Sequence, residues 1–183
     1  MEPKNIVFAH IASKLLDDAK KEFGTTSDFH KGAWLLPDGS LLNFSSGAGR
    51  HDHSEIKKIF PPELLEQDPE QYEAEDTYVR NKFLEAGAVR LVAEGGGVEA
   101  SVKPTHAQME KIIQFLNHLK HPEFFLELSG RGQTFRHLYD NTPEDRERAF
   151  EAITNYYEGK RYQPSEISQY HYSDENRRRL IKD

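Results

Sequence analysis

"GAWLLPDGSLLNFSS", Gly32 to Ser46, decides the fold class. Two short apolar runs flank Pro37-Asp38-Gly39, where proline presets the turn and glycine accepts the positive φ that closes it. The stretch therefore predicts a β-hairpin with Trp34, Leu36, Leu41 and Leu42 as its buried side chains. A second hairpin is expected in "AVRLVAEGGGVEASVKP", turning at Gly95 to Gly97. Val89, Leu91 and Ala93 alternate there with Arg90, Val92 and Glu94, a pattern that suits burial on both faces.

Helical spacing surrounds the hairpins. Ile11, Leu15, Ala19 and Phe23 form one stripe ending at Gly24. "SEIKKIF" predicts a short helix stopped by Pro61-Pro62, and "DTYVRNKFLEAG" an amphipathic one with Tyr78, Val79, Lys82 and Phe83, stopped at Gly87. Thr105 and Gln108 have the spacing of a capping box, ahead of a stripe of Ile112, Phe115, Leu116 and Leu119. "EFFLELSG" predicts a strand. The last helix opens on a Thr142 cap with Pro143 in its first turn, its stripe being Phe150, Ile153 and Tyr157. The expected class is α+β: an antiparallel sheet of two hairpins and one extra strand, packed against several α-helices. Residues 1–160 are expected to form one domain, followed by a polar tail at 161–183.

Composition narrows the function. The chain has 183 residues, 36% hydrophobic and 30% charged, with no cysteine, which excludes disulfides and thiolate metal sites. It has no long apolar run and no signal-like N-terminus, so the expectation is a cytoplasmic protein without membrane partners. A net charge of −7 disfavours nonspecific nucleic-acid binding and favours a basic partner. Pro61 to Asp76 carries seven carboxylates and no basic residue, whereas "NRRRLIKD" is a basic tail.

The densest chemistry lies in "SSGAGRHDHSEI", Ser45 to Ile56. Asp52 with Glu55 fits a helix cap, which leaves Arg50, His51 and His53 without a structural reason. Two histidines and an arginine suit acid–base cleavage of RNA, His51 or His53 pairing with each other or with His10, His30 or His137. His53, just past the cap, is the expected proton acceptor and Arg50 the phosphate donor. His51-x-His53 could alternatively hold a metal, though no longer metal motif accompanies it and no cofactor is expected. Arg131 in "GRGQTF" is a further candidate for phosphate contact.

Four motifs carry a resemblance: Leu36 to Ser45; Arg50, Asp52, His53 and Ile56; Gly87, Ala88 and Arg90; and Pro104, Thr105 and Gln108. Over roughly residues 10 to 125 the chain resembles small proteins of phages and mobile elements of Firmicutes, some of which look like anti-CRISPR proteins of type II-A effector nucleases. The resemblance implies a counter-defence role, binding the effector, its guide RNA, or both, with truncation of the guide as one route. It implies Arg50, Asp52, His53 and Arg90 as functional positions. The alternatives are a stand-alone RNase or phosphodiesterase of a mobile element, or a phage accessory domain without chemistry.

Overall fold

Side-chain alternation in the first hairpin builds two cores at once. In the computed structural model, which describes residues 3–29, 32–44 and 80–159, β1 (Gly32–Leu35) pairs antiparallel with β2 (Leu41–Phe44), Trp34 opposite Leu42. Successive strand residues point to opposite faces. Ala33, Leu35 and Leu41 enter one hydrophobic cluster, and Trp34, Leu36 and Leu42 enter another. All four side chains expected to be buried here are buried. Gly39 closes the turn at φ 89°, and Asp38 accepts the Ser40 amide at 2.9 Å.

The second hairpin joins β3 (Val89–Val92) to β4 (Gly97–Ala100). The capping box is present: Thr105 accepts the Gln108 amide at 3.2 Å, and the Gln108 side chain accepts the Thr105 amide at 2.9 Å. It opens α2 (His106–His118), following the N-terminal helix α1 (Pro3–Phe23) and a helical segment at 80–85. β5 (Glu123–Leu128), β6 (Phe135–Asp140) and α3 (Pro143–Glu158) complete the chain's described elements. Thr142 caps α3 and Pro143 stands at its start, as expected. The buried stripe runs through Ala149, Ile153 and Tyr156, one position from the expected Tyr157.

The six strands lie in the order β2-β1-β3-β4-β5-β6, mostly antiparallel, so the architecture is α+β. Two features differ from expectation. β4 and β5 are parallel, because α2 carries the chain back to the starting end before β5 begins. β6 is a sixth strand, missed because a polar residue occupies an inward position. Phe135, His137 and Tyr139 share the inward face, and the His137 and Tyr139 rings lie 4.2 Å apart. Burial holds the His137 pKa below its usual value.

Helices α2 and α3 cover one face of the sheet, packing Ile112, Phe115, Leu116, Ala149, Ile153 and Tyr156 onto the strands. On the other face Leu15, Leu16 and Ala19 of α1 meet Trp34, with Phe83 stacked on the indole at 5.2 Å. No described helix is long and apolar enough to cross a membrane.

Candidate functional site

Three of the four motifs of the resemblance meet at one junction, and the fourth, at Arg50 to Ile56, lies outside the described residues. Gln108 is fully buried and its amide donates to the Leu35 carbonyl at 3.0 Å and to the Gly87 carbonyl at 2.7 Å. The Thr105 hydroxyl donates to the Pro37 carbonyl at 2.6 Å. Gly39 faces Ala107, whose Cβ would stand 3.1 Å from any Cβ added there. "LPDG", "GA" and "PT-x-x-Q" thus meet to fasten the first hairpin, the end of segment 80–85 and the start of α2 together. These residues satisfy buried backbone groups, which is a structural task.

Charge gathers elsewhere, on the face of the sheet that carries Trp34. Pairing places Trp34 opposite Arg90, Arg90 opposite Glu99, Glu99 beside Glu127, and Glu127 opposite Arg136. Side chains directly across neighbouring strands share a face. Four adjacent strands therefore present the row Arg90, Glu99, Glu127, Arg136. Arg80, from the helical segment at 80–85, adds a third guanidinium.

The geometry of the row is that of a crowded ion cluster. Arg80 Nε and Arg90 Nη1 each lie 3.9 Å from a Glu99 carboxyl oxygen, ion-pair range but too far for a hydrogen bond. Arg136 Nε donates to Glu127 Oε1 at 2.5 Å. The Glu99 and Glu127 side chains are each only 13% exposed. Burial pushes the Glu99 carboxyl up to about 7, opposed by the charge of Arg80 and reinforced by that of Glu127. Arg80 Nε is buried and has no hydrogen-bond partner among the described residues. The arrangement offers guanidiniums to an anion and holds a carboxyl that can change charge near neutrality.

Of the candidate residues read from the sequence, Arg90 belongs to this row. Arg131 sits apart from the helical core in the β5–β6 connection, where its guanidinium donates to the Tyr156 carbonyl and lies 5.9 Å from the Tyr156 ring centre. A cation at the last carbonyls of α3 is favoured by the helix dipole, which gives Arg131 a structural role. Arg50, His51, Asp52 and His53 lie outside the described residues, as do His30 and the acidic run, and the side chain of His10 is likewise not described. Among the described residues no group of three or more His, Asp or Glu side chains is placed to hold a metal ion.

Glu99, Glu127, Arg80 and Arg136 escaped the sequence reading. Glu99 and Glu127 each stand alone between apolar neighbours, in "GVEA" and "FLEL". Only the register, with its parallel β4–β5 pair, brings them into one row. No family model, curated protein or solved structure matches the chain.

Proposed function

We propose that this chain is a counter-defence protein of a phage or mobile element that inhibits a type II CRISPR effector by binding the effector together with its guide RNA in the bacterial cytoplasm. The carrying observation is a local excess of guanidinium on an acidic chain. The chain is −7 overall, while Arg80, Arg90 and Arg136 gather on one sheet face with Glu99 and Glu127, three guanidiniums to two carboxyls. An RNA-guided effector holds its nucleic acid in a positively charged channel, so an acidic ligand enters a complementary field. The guanidinium row supplies the contact to exposed RNA phosphates that such a ligand would otherwise repel. The four motifs of the resemblance, with Arg90 among them, point the same way.

Size-exclusion chromatography with a type II effector–guide complex tests this. Co-elution at low salt that weakens as salt rises is expected. Failure to co-elute with any such complex at low salt contradicts the proposal. The length of the guide RNA recovered from the complex separates blocking by occupancy from truncation, the route for which His53 and Arg50 are the sequence candidates.

A further inference from the structure

The carboxyls of Glu99 and Glu127 are neighbours by strand pairing, side by side on parallel β4 and β5. Each is 13% exposed. Two like charges on directly paired positions of neighbouring strands, largely out of water, repel too strongly for both to ionise easily. Three guanidiniums face the pair: Arg90 from β3, Arg136 from β6 and Arg80 from the helical segment. The nearest guanidiniums to Glu99 stand at 3.9 Å, beyond direct bonding, which leaves its negative charge incompletely compensated.

We infer that Glu99 and Glu127 hold a single proton between them, and that losing it changes this face from three guanidiniums against one carboxylate to three against two. The shared proton regulates the surface assigned above to RNA contact, so its consequence for binding rests on that reading, while the proton itself does not. With the proton in place the row is more positive and better suited to phosphate. Without it, carboxylate repulsion weakens the same contact.

The sign of the stability effect follows from linkage. Glu99 titrates near 7 in the folded chain and at 4.5 ordinarily, so the folded state keeps a proton that the unfolded state has released. Its contribution is fully present below about 4.5 and is lost as pH rises through about 7. His137, held low by burial, acts in the opposite sense, so the difference between wild type and variant is the quantity to read.

The test uses the full chain alone. Side-chain carboxyl NMR of the wild type should show one glutamate still titrating near neutrality, a signal absent in Glu99→Gln. Relative to Glu99→Gln, the wild-type denaturation midpoint should fall between about pH 5 and about pH 7 and level off above. Complete ionisation of every glutamate below about pH 5.5, seen in the wild type, overturns the inference whether or not the variant folds. If Glu99→Gln does not fold, a protonated-carboxyl band in the infrared spectrum of the wild type near neutral pH supports the shared proton, and its absence overturns it. Affinity for the effector–guide complex is then compared at about pH 6 and about pH 8. A titrating pair without effector binding sinks the counter-defence reading and leaves the proton pair standing.

Discussion

The junction around Gln108 and the row around Glu99 lie on the same sheet and use polar side chains for opposite purposes. At the junction the polar groups of Thr105 and Gln108 find partners at 2.6 to 3.2 Å, and most of those partners are backbone atoms. In the row, Glu99 meets its two guanidiniums at 3.9 Å and shares its site with a second carboxyl. Satisfied amide networks fix a fold, because leaving one member unpaired is costly. Imperfectly compensated charges leave room for a proton or an anion to complete them. The described residues of the motifs singled out in the sequence belong mainly to the first kind, and Arg90 alone among them stands in the second.

Breaking the junction should give the larger loss of stability. Gln108→Ala leaves the Leu35 and Gly87 carbonyls without their donor and opens a cavity beneath α2. A cost of about 3 kcal/mol is expected, read as a lower denaturation midpoint with unchanged cooperativity. Near-wild-type stability would show that the junction is not what fastens the hairpin.

A smaller effect sharpens the same contrast. Thr105→Ala removes the cap of α2 and the bond to Pro37, at about 1 kcal/mol, and Thr105→Ser should restore most of it. Equal losses in both variants would mean that the Thr105 methyl group, and not its hydroxyl, carries the contribution.

What could be read in the chain follows the same division. The hairpin at Pro37 to Gly39, the Thr105–Gln108 box and the Thr142–Pro143 start are local chemistry, complete within a few residues, and they stand where the sequence places them. β6 was hidden because His137 takes an inward position between Phe135 and Tyr139, which interrupts an otherwise alternating pattern. The parallel β4–β5 pair depends on a crossover through α2, a property of the assembled sheet. Without that pair Glu99 and Glu127 are two ordinary strand carboxylates, 28 positions apart. The site candidates Arg50, His51, Asp52 and His53 were legible as chemistry but lie outside the described residues, so only Arg90 and Arg131 can be placed, one in the row and one at the end of α3.

The double variant Arg80→Gln/Arg136→Gln probes the row with the least expected disturbance to the fold, since these are its two most exposed guanidiniums. Partly exposed ion pairs contribute little, and a change within about 1 kcal/mol is expected in stability. The decisive measurement is the affinity of this variant for the effector–guide complex as a function of salt. If the sheet face touches RNA phosphate, binding should weaken and the slope of log K against log salt should fall by roughly two relative to wild type. A folded variant with wild-type affinity and slope would contradict the central claim that this charged row, and not the fastened junction, is the working surface of the protein.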